Sequence, residues 1–271
     1  MRYPIVALAE ELADTHDVVS MVWSPEQGGY PSRRPRLFAA GIAKWSHVWV
    51  GVKPGQQVQQ AFAAAFAREV SLDGDCFFFT DDKTRNAWIE SRARNTKGPM
   101  LPENWKQLSG EDLLPYILTP HMVSRCTEWN HVFEEVRRSP IGGRALLSDI
   151  EHYAGRGPQG HLFPVQLTHH TIFSWTQQKF ATDSECWAAM GFDWDEAISG
   201  GRPKSPLHSV LSDKPSYLQA KLRGNSLHVP TVGAWLAFVM ANTVRRADYD
   251  KLPAEPPLKQ AADIDHDDEM V

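Results

Sequence analysis

The sequence predicts an α/β fold in which two mixed segments flank a largely helical middle. Three observations carry this reading. Residues 5–42 pass from helical to strand spacing, residues 44–160 hold two strong amphipathic helices, and residues from 161 return to mixed patterning before a long apolar helix. A chain of 271 residues can bury a sizeable core as one large domain or two smaller ones.

Taken in order, Ile5, Val6, Leu8, Ala9 and Leu12 have helical spacing, and Val18 to Trp23 form an apolar run of strand type. Arg36 to Ile42 reads as a hairpin-like second strand, so the first block is a helix and an incomplete sheet. Gln56 to Val70 is a helix with Ala61, Phe62, Ala65, Phe66 and Val70 on one side. Cys76 to Phe79 is wholly apolar and reads as a short buried strand. Asp82 to Arg94 is helical. Thr119 and Pro120 are the N-cap and first position of a helix whose stripe is Met122, Val123, Cys126, Trp129, Val132, Phe133 and Val136. It stops at Arg137-Arg138, before Ser139-Pro140.

Ala145 to Ile150 reads as a strand, 155–160 as a loop, and Phe163 to Trp175 as an extended stretch. Thr182 and Glu185 form a capping box, with Cys186, Ala189 and Met190 facing the core and Gly191 ending the helix. Gly224-Asn225-Ser226 reads as a turn. Pro230 opens the last helix, with Val232, Trp235, Leu236, Val239, Met240 and Thr243 on its buried side and Arg245-Arg246 at its C-terminus.

Composition excludes several classes. No eighteen-residue apolar stretch exists, and the first residues lack a secretory pattern. Cys76, Cys126 and Cys186 fit neither a zinc knuckle nor a disulfide framework, so a reducing, intracellular setting is expected, nuclear or cytoplasmic. The net charge of −5 arises in the tail, where Lys259 faces six acids from Glu255 to Glu269. Such a tail is expected to be disordered. The neutral body offers no broad footprint for nucleic acid, so any such binding must come from local patches.

The most informative run is Gly28-Gly29-Tyr30-Pro31-Ser32-Arg33-Arg34-Pro35-Arg36-Leu37-Phe38-Ala39-Ala40-Gly41-Ile42. Arg34 and Arg36 stand at a Gly/Pro corner that feeds a buried strand. Two fixed guanidiniums there suit a carbonyl oxygen or a phosphate, or else form a solvated surface turn.

Three segments, in this order, resemble the DNA cytosine-5 methyltransferases. The arginine corner is similar to that family's "GVPQRRERLFIVG" segment. Ala181-Thr182-Asp183-Ser184-Glu185-Cys186-Trp187-Ala188-Ala189-Met190-Gly191-Phe192 is similar to its "LTPRECARLQGFP" segment, and Arg223 to Pro230 to its closing "GNSV" motif. The resemblance implies the C-terminal part of a Rossmann-like, S-adenosyl-L-methionine-dependent methyltransferase sheet with an inserted helical recognition lobe. Residues 1–43 would end the catalytic domain, 44–160 form the target recognition region, 161–250 return to the catalytic domain, and 251–271 form the tail. DNA would be the partner, and the target cytosine would be flipped out of the duplex. Arg36 would donate to the cytosine O2, and Arg34 would support that geometry or bind phosphate. Asn225 and Ser226 would touch the cofactor or brace the loop carrying the nucleophile.

Departures from the family matter equally. Ser32 and Pro35 replace its Gln and acidic residue, and Lys179 stands where an arginine precedes the Thr-x-x-Glu segment. The family's cofactor loop, Pro-Cys loop and Glu-Asn-Val segment should precede the corner, and 27 residues before Gly28 are too few for a cofactor-binding βαβ unit. No Pro-Cys pair occurs, and Glu103-Asn104-Trp105 falls in the variable region and reads as a loop. The expectation is a methyltransferase-like chain active only when another polypeptide supplies those loops; the alternative is a non-catalytic nucleic-acid-binding module. No metal site is expected, because His152, His161 and His169-His170 match no zinc spacing. Trp129 and Trp235 read as core, Asp193 to Glu196 as a solvated loop, and Cys186 as a buried thiol without a base.

Overall fold

The computed structural model describes residues 5–52, 57–96, 98–138, 144–152, 159–168, 170–195, 200, 203–249 and 251, with the backbone alone at 136–138 and 159. The acidic tail, most of the 155–160 loop, His169 and Glu196 lie outside these residues. The described chain is mixed α/β with small antiparallel sheets.

The N-terminal hairpin and the last helix share one core. Helix α1 (Ile5–Glu11) leads into β1 (His16–Trp23), which pairs antiparallel with β2 (Arg36–Ala43) from His16↔Ala43 to Trp23↔Arg36. Strand alternation buries Val19, Met21, Trp23, Phe38 and Ile42 on one face and leaves Val22 and Leu37 exposed on the other. Helix α2 (Val58–Phe66) and helix α9 (Val229–Ala241) cover the buried face. Phe62 sits at the centre, edge-on to Trp23 with ring centroids 4.9 Å apart and to Phe238 at 5.4 Å.

Two expectations for the last helix need correction. Its buried residues are Thr231, Trp235 and Phe238, whereas Leu236 and Met240 are exposed. A helix apolar on every side does not reveal its buried face by period. It also stops before the arginines. Asn242 caps its end, donating Nδ2 to the Phe238 carbonyl at 2.8 Å, and the next residues form β8 (Thr243–Arg245) paired with β3 (His47–Trp49). The β-branched pair Thr243-Val244 suits that strand.

The second core gathers α3 (Asp82–Asn95), α4 (Gly110–Ile117) and α5 (Pro120–Arg138) around Trp129. Thr119 Oγ1 accepts from the Met122 N–H at 3.4 Å, as an N-cap should. Phe173, Trp175 and Phe180 complete this core from a four-stranded sheet ordered β5 (Gln159–Gly160), β4 (Leu147–Asp149), β6 (Ile172–Ser174), β7 (Lys179–Phe180).

A third cluster joins Leu147, Phe163 and Ile172 to Cys186 and Ala189 of the segment carrying α6 (Asp183–Ala188). The expected strand at Cys76–Phe79 is instead a 3-10 turn, Gly74–Phe77, with Cys76 exposed. The turn lies so close to the chain at 162–163 that a Cβ on Gly74 would sit 2.3 Å from the Phe163 nitrogen. Trp194, expected in a solvated loop, is buried and stacks on Trp187 at 4.7 Å. Helices α7 (Pro206–Leu211), α8 (Ser216–Asn225) and α10 (Arg246–Tyr249) complete the described α-helices. No helix among the described residues is long and apolar enough to cross a membrane.

Candidate functional site

The arginine corner is pinned on both sides before Arg34 is reached. Ser24 Oγ accepts the Arg34 backbone N–H at 2.9 Å, and Arg33 N–H and Phe163 N–H are each 2.9 Å from their acceptors, the carbonyls of Phe163 and Pro31. Gly29 supplies the left-handed conformation the corner requires, with φ 86°.

Arg34 then points inward and is 3% exposed. Nη1 donates to the Gln166 carbonyl at 2.7 Å, and Nη2 donates to the carbonyls of Arg223 at 3.2 Å, Gly224 at 2.9 Å and Ser226 at 2.6 Å. The last three belong to the C-terminal turn and cap of α8, where carbonyls lack helical partners. One cation satisfies all three and matches the negative end of the helix dipole. Burial and the neighbouring Arg36 charge lower the Arg34 pKa to about 10, so it stays charged at neutral pH.

Gly224 and Asn225 are therefore the end of a helix, with Ser226 as its cap, and not a free turn as expected. Glycine is required at 224 by close approach: a Cβ there would lie 2.5 Å from the Thr168 nitrogen and 2.6 Å from the Leu167 carbonyl carbon. Ser226 Oγ donates back to the Arg223 carbonyl at 2.9 Å. Asn225 is exposed, and its amide makes no hydrogen bond to the described residues.

Arg36 differs from Arg34. It is half-buried, its pKa is lowered by desolvation, and its side chain makes one hydrogen bond to the described residues, from Nη1 to the Pro35 carbonyl at 2.9 Å. Most of its donors thus remain available. Tyr30 and His228 stand beside the corner, with rings edge-to-face at 4.7 Å. His228 Nδ1 meets the Thr231 hydroxyl at 2.8 Å, and burial, then the Arg34 charge, lowers its pKa to about 4.

The Thr182–Glu185 segment joins the same framework. The capping box forms as expected, with Thr182 N–H donating to Glu185 Oε2 at 2.7 Å. Sequence reasoning missed the other half of its role. Glu185 is fully buried, paired with Arg85 Nη2 at 2.6 Å, and accepts the Thr80 N–H at 2.9 Å. Gln166 links this segment to Arg34, since its side chain donates to the Cys186 carbonyl at 2.7 Å and its own carbonyl accepts from Arg34. No local pattern signals either link, because the partners lie far apart in the chain.

The cysteines are not poised as nucleophiles. Burial raises Cys186 and Cys126 to about 12, and desolvation, then Asp75, raises Cys76 to about 11. Among the described residues, no group of three or more His, Cys, Asp or Glu side chains is arranged to hold a metal ion. His152 pairs with Asp149 at 3.0 Å, and His161 accepts from Arg144 at 2.7 Å. No family model and no curated protein matches this chain.

Proposed function

We propose that this chain is a DNA cytosine-5 methyltransferase-like protein that binds DNA through the arginine corner. Methyl transfer would follow only when another polypeptide supplies the cofactor loop and the nucleophilic cysteine. The observation that carries this reading is the convergence of its three resembling segments. Arg34 bonds the closing segment directly and the Thr-x-x-Glu segment through Gln166. A chance set of turn and cap motifs has no reason to be bonded into one frame.

In this reading Arg34 is a positioning residue and Arg36, with its unoccupied donors, contacts the flipped base. The β1–β2 hairpin would be the end of a Rossmann-like sheet completed by the partner polypeptide. S-adenosyl-L-methionine would supply the methyl group. Asn225, exposed and with a side-chain amide that makes no hydrogen bond to the described residues, fits a contributing edge of its site, while Ser226 is engaged in bracing the helix end. These two residues make an edge and not a whole site.

The second reading, a non-catalytic nucleic-acid-binding module, is favoured by the three cysteines, whose pKa values are all raised. Radiolabelled methyl incorporation into DNA tests the division of labour. The purified chain should transfer no methyl group. Transfer that disappears on replacing Cys76, Cys126 or Cys186 with Ala would overturn it.

A further inference from the structure

Helix α9 has the composition of an interior helix. It carries no charged residue, and its one hydroxyl, that of Thr231, is buried. A helix apolar on every side is ordinarily covered on every side. Trp235 and Phe238 face the hairpin core and account for one side. The other side, formed by Val229, Gly233, Leu236, Ala237, Met240 and Ala241, lies open among the described residues, with Leu236 54% and Met240 74% exposed. Its 13 residues are too few to cross a bilayer, which takes about 20. It also lacks the Lys and Arg of a helix that rests on a lipid surface. Neither lipid arrangement fits, which leaves protein as the cover.

The open side has relief as well as apolarity. Residues four apart form rows along a helix, and one helix packs on another by laying a row of one into the furrow of the other. Val232, Leu236 and Met240 make a ridge of large side chains, and Gly233, Ala237 and Ala241 make a shallow trough beside it. No described heavy atom lies within 4 Å of a Cβ built on Gly233, so the trough is unfilled there. A ridge and a trough side by side are complementary to themselves. A copy related by a two-fold axis near Ala237 lays its ridge in this trough and receives this ridge in its own, with the helices crossing at about −50°. The open side is uncharged, so the two copies meet there without like-charge repulsion.

We propose that the open side of α9 is a homodimer contact, covered by α9 of a second copy of this chain. Leu227 and Val50, each 42% exposed, adjoin its two ends, and the Val50 N–H donates to the Asn242 carbonyl at 2.9 Å. With the small residues between them, the large side chains offer roughly 600 Å² on each copy, so a pair buries about 1,200 Å², the lower edge of specific interfaces. The open side carries no aromatic or arginine anchor, and the pair is accordingly weak, with a Kd of about 10–300 µM. This inference stands on α9 and does not rest on the proposed DNA contact.

Sedimentation equilibrium of the full chain between about 5 µM and 500 µM tests it. Wild type should pass from monomer towards dimer and no further. Met240→Glu places a charge on the ridge at an exposed position and should weaken pairing by about tenfold or more. Ala237→Leu, also at an exposed position, fills the trough, keeps the face apolar and suits a helix. It should weaken pairing by a similar factor, whereas an unspecific apolar contact would gain from the added side chain. Circular dichroism checks the fold of both variants. A wild type that stays monomeric throughout, association that grows past the dimer, or either folded variant pairing as tightly as wild type or more tightly would overturn the proposal.

Discussion

Arg34 Nη2 donates to the carbonyl of Ser226 at 2.6 Å across 192 residues of sequence. That bond, with those to Arg223 and Gly224, makes the helix end at α8 and the arginine corner a single object. Replacing Arg34 with Ala would leave the buried Gln166 carbonyl and the part-buried Gly224 and Ser226 carbonyls without this donor. Each such group costs about 1–3 kcal/mol, so a loss of about 3 kcal/mol or more is expected. Arg34→Lys should recover only part, because one ammonium cannot span four acceptors. Urea unfolding of the three proteins checks this, and near-identical midpoints would contradict it.

Gly224 and Gly233 should respond in opposite directions to alanine. At 224 the new methyl would meet backbone of Leu167 and Thr168, which cannot swing aside, and overpacking of that kind costs about 1–3 kcal/mol. At 233, inside α9, no heavy atom lies within 4 Å of the added Cβ. There the substitution should stabilise by about 0.5–1 kcal/mol, the ordinary helical preference. Thermal melts of both variants would show it.

Much of this architecture is legible locally, and the divide follows the range of the interactions. Thr119, Pro120, Thr182 and Glu185 act on N–H groups within one helical turn, so their caps can be read from neighbouring letters. Val19, Met21 and Trp23 alternate, and a strand follows. Cys76 to Phe79 is too short an apolar run to separate strand from turn, and packing on Phe163 decided it. Arg34 and Arg36 look equivalent in sequence. Their difference rests on carbonyls 132 to 192 residues away, which no spacing encodes.

The buried pair of Glu185 and Arg85 supports a third prediction. Removing one partner leaves the other charge buried and uncompensated, so Glu185→Leu should destabilise by about 3–5 kcal/mol. The double variant Arg85→Met, Glu185→Leu should recover part of that loss by removing the unpaired charge, but not all of it, because the Thr80 and Thr182 N–H groups still lose their acceptor. A double-mutant cycle by urea unfolding measures the coupling, and additive losses would contradict the pairing.

Acid should destabilise the protein through its buried imidazoles. His170 and His228 stay neutral when folded, with pKa values lowered to about 3 and about 4, but charge near pH 6.5 when unfolded. Stability from these two is present above about pH 6.5 and falls as pH drops. Asp149 opposes them: burial raises it to about 6, so the folded state holds its proton where the unfolded chain has lost it. Asp75, likewise raised by burial, acts in the same direction as Asp149, so the net slope is at most about 1.4 kcal/mol per pH unit between about pH 4 and 6. His228→Gln should flatten that slope, which unfolding at several pH values would reveal.

The central claim is that Arg36 reads a base while Arg34 builds the frame. The direct measurement is the affinity of cytosine-containing duplex DNA for wild type, Arg36→Ala and Arg36→Lys, at low and moderate salt. Arg36→Ala should fold normally and lose about 1–3 kcal/mol of binding, with Arg36→Lys recovering little. Equal affinity for wild type and Arg36→Ala at both salt concentrations would contradict the account and leave the corner as a structural turn.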